Sequence, residues 1–226
     1  MKHRAGVTLM ELIISIAISS LLILVLFQVI TAAYANWRRE NTKTQLQTNT
    51  KIAVETVAQV IRSAKSVEPK NSQPDPNPPT VGDPYSWTGV TGSGATLILA
   101  VPARDRDNNL LYIDSTHTSL YTNNVIFYLD PASKILYRRT IANQTAPNNA
   151  AVTTCPPARA TPSCPADSKV VEDVANLTTT YLDASGNTVT SPSGTEAIRY
   201  NLSQTRVIGS NTYQSNYGTT ATLRNK

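Results

Sequence analysis

One carboxylate in this chain stands where a charge is costly. Glu11 is the only formally charged residue between Arg4 and Arg38, and it heads an apolar run from Leu12 to Tyr34. At the centre of a bilayer such a group costs roughly 2.5 to 3.5 kcal/mol on insertion scales, and less near the interface. It could be justified by acid–base work, by metal ligation or by pairing with a cation. The rest of the chain offers little for the first two. His3 and His117 are the only histidines. There is no Gly-rich phosphate loop, no Gly-x-Ser-x-Gly elbow, no His-Glu-x-x-His and no Cys–His pair close in sequence. Asp105-x-Asp107-x-Asn109 begins like a calcium loop, but Leu110 replaces the turn glycine and no Glu closes it, so a solvated turn is expected. Cys155 and Cys164 lie in a Pro-rich segment, either as a disulfide clipping a surface loop or as two free thiols. An exported setting favours the disulfide, and the pair lacks the further ligands a metal needs. No catalytic residue, metal site or cofactor is expected.

The element that must position Glu11 is a helix. Lys2, His3 and Arg4 form a basic tip ahead of the motif Gly6-Val7-Thr8-Leu9-Met10-Glu11-Leu12. The run from Leu12 to Tyr34 is long enough to span a bilayer, and the basic tip holds the N-terminus in the cytoplasm. A cleaved secretory signal would have a shorter apolar core and a small-residue cleavage site, which Ala32-Ala33-Tyr34-Ala35-Asn36 could just supply. That reading, and a plain single-pass anchor, both leave Glu11 unexplained.

The motif followed by the apolar run resembles the leader of type IV prepilins and of type II secretion pseudopilins. The usual form there is Gly-Phe-Thr-Leu-(Ile/Leu)-Glu; here Val7 replaces Phe. The resemblance implies cleavage between Gly6 and Val7 by a prepilin peptidase, N-methylation of Val7, and an assembly role for Glu11. Gly6 has no side chain to hinder the peptidase. Glu11 suits the positive end of the helix dipole, and in a filament it would pair with the terminal amine of a neighbouring subunit. The alternative is a Glu satisfied at its own helix N-terminus without a partner.

From Val7 to Ser66 no helix breaker appears. Residues 36–51 are strongly polar. Beyond them Leu46, Ala53, Val57, Val60 and Ala64, widened by Ile61, form one apolar face at helical spacing. The expected organisation is a leader over 1–6, a helix over 7–66 (membrane-spanning over about 12–34, amphipathic over about 46–66), and a β-rich head over 67–226. Trp37 is read either as an interface anchor beside Arg38 and Arg39 or as packed on the head. Glu68-Pro69 stops the helix. Residues 69–94 form a loop rich in Pro, Asn, Asp, Ser and Gly, in which Tyr85 and Trp87 either dock it onto the domain or form a ligand-stacking pair. Strands are expected over Thr96–Val101, weakly over Leu110–Ile113, and over Val125–Leu129 with Ile135–Arg139 as a hairpin. Leu177–Leu182 and Thr188–Thr190 flank another turn, Ala197–Ile208 alternates, and Tyr217–Leu223 closes the sheet. Residues 142–168 read as a loop. The fold class is α+β: a long N-terminal helix packed by its C-terminal half on an antiparallel sheet, which is pilin-like.

Tyr181-Leu182-Asp183-Ala184-Ser185-Gly186, with Ile198-Arg199 and Leu223-Arg224-Asn225, resembles the C-terminal half of minor pilins of the W/J-like group. Three functions follow: a minor pilin of a type IV pilus serving motility, adhesion or DNA uptake; a J-like minor pseudopilin of type II secretion; or an unrelated anchored periplasmic binding domain. The first two imply the inner membrane before assembly and other pilins or pseudopilins as partners. Net charge is +5, falling to about +3 once Lys2 and Arg4 are removed. Arg38-Arg39, Arg104/Arg106 and Arg138-Arg139 read as solvated charges, so a nucleic-acid partner is unsupported.

Overall fold

A computed structural model describes residues 8–224. The chain forms two compact units, Met1–Gln45 and Leu46–Lys226. One helix, α1 (Leu9–Ser63), runs through both and is followed by antiparallel β-sheets, giving an α+β, pilin-like architecture.

In the larger unit α1 buries Leu46, Thr50, Ala53, Val54, Val57, Ala58, Val60 and Ile61. This is the apolar face expected from the spacing, with one polar member, Thr50, added. The helix ends at Ser63 rather than near Ser66. Ala64 N–H still reaches the Ile61 carbonyl (3.1 Å), but Lys65 N–H turns to Ala100 (2.8 Å) and Glu68 N–H to Ile98 (2.9 Å). The chain thus joins a sheet edge before Pro69 is reached, as strand β1 (Ser66–Val67).

Nine more strands follow: β2 (Gly92–Ser93), β3 (Leu97–Pro102), β4 (Thr122–Asp130), β5 (Ile135–Ile141), β6 (Ser168–Val171), β7 (Val174–Leu182), β8 (Thr188–Val189), β9 (Ala197–Ile208) and β10 (Asn211–Thr222). They form two sheets rather than one. The first has the order β1-β3-β4-β5-β6; the second has the order β10-β9-β7-β2, with β8 paired to β7. The segment Leu110–Ile113 makes only isolated bridges, to Arg104 and Leu120. The β9–β10 hairpin turns at Gly209-Ser210, where Gly209 adopts φ 61°, a conformation that glycine takes without a Cβ penalty.

A single core joins both sheets to the C-terminal half of α1. It contains Val54, Val57 and Ile61 from the helix, Leu99 and Phe127 from the first sheet, and Leu177, Ile198, Tyr200 and Leu202 from the second. The Tyr200 hydroxyl donates to the Val54 carbonyl, and Thr50 bonds Gln204 and Ser215. The first sheet is also covered on its outer face, where Ile98, Ile126 and Ile141 pack with Trp87 and Tyr128. Burial on both faces explains why β3 reads as a continuous apolar run while β9 alternates.

Candidate functional site

The described part of the N-terminal motif begins at Thr8; Gly6 and Val7, the expected processing residues, lie outside the described residues. Thr8 is the helix cap. Its backbone N–H and its hydroxyl both donate to Glu11 Oε2 (2.9 and 3.1 Å), and Glu11 N–H donates back to Thr8 Oγ1 (3.3 Å). This reciprocal pattern is a capping box, for which Thr-x-x-Glu is the sequence signal. The signal is legible in Thr8-Leu9-Met10-Glu11, and it gives Glu11 a local partner at its own helix N-terminus.

Behind this cap, every residue from Leu9 to Asn41 is exposed. Phe27 is 67% exposed and Leu21 66%, so the unit has no core of its own in which to hide its apolar surface. That much contiguous apolar surface is not left to water in a soluble monomer. Three of the polar side chains in the run bond to their own helix: Ser15 to the Glu11 carbonyl (2.7 Å), Ser20 to the Ala17 carbonyl (2.8 Å) and Thr31 to the Gln28 carbonyl (2.9 Å). Such self-satisfaction suits a medium that offers no hydrogen bonds. This stretch is the one helix among the described residues long and apolar enough to cross a membrane. At its end Trp37 is 61% exposed and stacks on Tyr34 at 5.9 Å.

The head holds a buried charge cluster that composition does not announce. Arg139, read from sequence as a solvated charge, has 0% exposure. Its guanidinium meets Asp75 at 2.6 Å and Asp167 at 3.2 Å, and donates to the Asn77 carbonyl at 3.2 Å. Trp87 Nε1–H donates to Asp75 (2.6 Å), while Asp167 accepts from the Tyr128 and Thr154 hydroxyls (2.8 and 2.6 Å). Burial, then the bond to Asp167, raises the pKa of the Tyr128 hydroxyl well above its ordinary value. Strand alternation in β5 aims Arg139 outward; the 69–94 loop and the Pro-rich segment then close over it. Arg139, Asp75 and Asp167 are all buried, and their pairing clamps both segments to the sheet.

Cys155 and Cys164 are joined as a disulfide, with Cys155 buried and its sulfur accepting from Asn77 Nδ2 at 2.8 Å. Asp105 accepts from the N–H groups of Asp107 and Asn109 (2.9 and 2.8 Å) and from Asn109 Nδ2 (3.0 Å), forming a self-contained turn. His117 packs edge-on against Tyr112 at 4.5 Å. Among the described residues no group of three or more His, Cys, Asp or Glu is placed to hold a metal. Of the paired arginines, Arg139 is engaged by its two carboxylates, the exposed Arg104 bonds the Asn108 carbonyl (2.7 Å), and burial holds the half-buried Arg138 below its ordinary pKa. Tyr85 and Trp87 do not stack on each other; Trp87 meets Tyr128 instead, with ring centres 4.9 Å apart.

The prokaryotic N-terminal methylation motif matches residues 1–27. That motif is the hallmark of type IV prepilins and pseudopilins, and with the long apolar helix and β-rich head it marks a type IV pilin- or pseudopilin-like protein. Such a chain is a structural subunit and not an enzyme. The motif implies processing by a prepilin peptidase and assembly with other pilins, and the helix is consistent with membrane anchoring. No curated protein and no solved structure matches the chain.

Proposed function

We propose that this chain is a minor pilin of a type IV pilus. It is cut between Gly6 and Val7 and N-methylated at Val7, which removes the leader 1–6. Before assembly it sits in the inner membrane with its N-terminus cytoplasmic and the head, 67–226, periplasmic. The observation that carries this reading is the placement of Glu11: a lone carboxylate at the first turn of a helix whose apolar surface is exposed all round. Leaving lipid for a filament would cover that surface with neighbouring helices, and the carboxylate would then gain a terminal amine as partner. A buried pair of this kind fixes register, and breaking it by removing one partner costs about 3 to 5 kcal/mol.

The capping box supplies a clean test, because glutamine caps as glutamate does. Glu11→Gln keeps the bonds with Thr8 and removes the charge. On this reading Glu11→Gln and Glu11→Ala both lose filament incorporation in sheared-pilus immunoblots, while leader cleavage and the thermal melt of the head are unchanged. If Glu11→Gln incorporates normally, Glu11 serves only as a cap and the assembly role fails. Mass spectrometry of membrane-derived protein should show a methylated Val7 terminus, and an intact Met1 terminus would contradict the processing step. Recovery of the chain in a secretion complex, and not in surface pili, would reassign it to the J-like pseudopilin role.

A further inference from the structure

The outer face of the first sheet carries a groove of about 510 Å³ that none of the pilin-like features requires. Its floor is aromatic. Trp87 packs on Tyr128 at 4.9 Å, and Tyr128 stacks on Tyr137 at 5.6 Å with planes 26° apart. Its walls are residues 77–79, 129–131 and 156–159, five of which are prolines.

Two of the three rings have their polar tips turned inward. The Trp87 indole N–H is spent on Asp75 and the Tyr128 hydroxyl on Asp167, and Arg139 holds both carboxylates beneath them. The groove therefore receives ring faces that are already fixed, so a ligand stacking there does not have to freeze them. At the rim, the exposed Arg159 guanidinium has no ion-pair partner among the described residues. Asp130 also lines the groove, its carboxyl held below the usual carboxylate range by the Ser133 hydroxyl and the Ala132 N–H. The rim thus has one charge of each sign, together with the Asn77 side chain.

Aromatic floors receive flat apolar surfaces, and three kinds of ligand present them. A proline-rich peptide also offers carbonyls that need donors, and with the indole N–H and the Tyr128 hydroxyl spent only the Tyr137 hydroxyl among the rings is left to meet them. A nucleotide or an acidic sugar brings negative charge, which clustered cations must meet; here a single Arg is balanced by Asp130. A neutral pyranose offers a C–H face to the rings and hydroxyls that both donate and accept, matching a rim that holds a guanidinium together with carboxylate and amide oxygens. We propose that this groove is a binding site for a neutral saccharide. The site does not depend on which filament the chain enters.

Full-length protein in detergent micelles carrying Trp37→Phe retains Trp87 as its single tryptophan, so its fluorescence reports on the groove. A glycan array of neutral and acidic oligosaccharides is screened first. The tightest neutral glycan is then titrated, with octaproline alongside. The expected result is retention of a neutral glycan that shifts Trp87 emission. Tyr137→Ala should weaken it about tenfold, as loss of a stacking ring implies. Tyr137→Phe should bind as the parent does, and Arg159→Ala should bind a few-fold more weakly with an unchanged thermal melt. The proposal is overturned if no neutral glycan is retained, if only octaproline or acidic glycans bind, or if neither Tyr137→Ala nor Arg159→Ala alters glycan affinity.

Discussion

Replacing Arg139 with Met keeps the side-chain length and removes the one cation shared by Asp75 and Asp167, which are 2% and 4% exposed. Removing one partner of a buried ion pair costs about 3 to 5 kcal/mol, because the stranded charge remains out of water. Two features of the cluster argue for the lower end. Asp75 keeps its bonds from Trp87 Nε1 and Asn77 N–H, and Asp167 keeps those from Tyr128 and Thr154. Arg139 Nε has no hydrogen-bond partner in the native cluster, so its burial is already incompletely compensated. For a unit spanning Leu46–Lys226, a loss of about 3 kcal/mol lowers Tm by about 6 to 12 °C. Differential scanning calorimetry of the full chain in detergent micelles measures this. The decisive partner is Arg139→Met combined with Asp75→Asn and Asp167→Asn. Neutralising the stranded carboxylates should restore most of the loss, since a buried charge cluster replaced as a whole is often near neutral. A Tm within about 2 °C of the parent for Arg139→Met, or a triple variant no better than the single one, would refute the account of a charge clamp.

Thr50 sits at 0% exposure, with its hydroxyl 2.6 Å from both the Leu46 carbonyl and Gln204 Oε1 and 2.9 Å from Ser215 Oγ. Thr50→Val should cost about 1 to 3 kcal/mol by leaving Gln204 and Ser215 short of a partner, while Thr50→Ser retains much of the bonding; equal melts for Val and Ser would contradict this. Asp114 accepts from the Thr118 hydroxyl (2.7 Å), Thr118 N–H (2.9 Å), Ser119 N–H (3.0 Å) and the Thr116 hydroxyl (3.1 Å), and these bonds, led by the Thr118 hydroxyl, pull its pKa down to about 2. A depressed carboxylate contributes order above its unfolded pKa near 3.9 and loses it as pH falls through the folded value. Amide-exchange protection of Thr118 and Ser119 should therefore persist at pH 4 and decline towards pH 2. Asp114→Asn should give weaker protection that does not vary across that range, and unchanged protection in the Asn variant would count against the loop's dependence on the carboxylate.

Several features were open to reading because they depend on neighbours in sequence. The stripe through Leu46, Ala53, Val57 and Ile61 is a property of helical spacing, and the alternation of Ile198, Tyr200 and Leu202 belongs to a strand with one buried face; both hold in the structure. Strand β10 was legible only at its C-terminal end, because most of its residues are polar and solvent-facing and give no periodic apolar signal. The buried character of β3 was likewise clear, but not that its second face is covered by Trp87 and its loop.

The N-terminal motif, the apolar run and the helical periodicity were determined by sequence alone, since each rests on residues within a few turns of one another. The tertiary structure decided the rest. It divided the strands into two sheets, ended α1 at Ser63 where Lys65 and Glu68 find the edge of β3, and turned Arg139 from a surface charge into a buried clamp. Its partners Asp75 and Asp167 lie 64 and 28 positions away in chain. Only a closed fold brings such carboxylates to a guanidinium, and only their arrival makes its burial affordable.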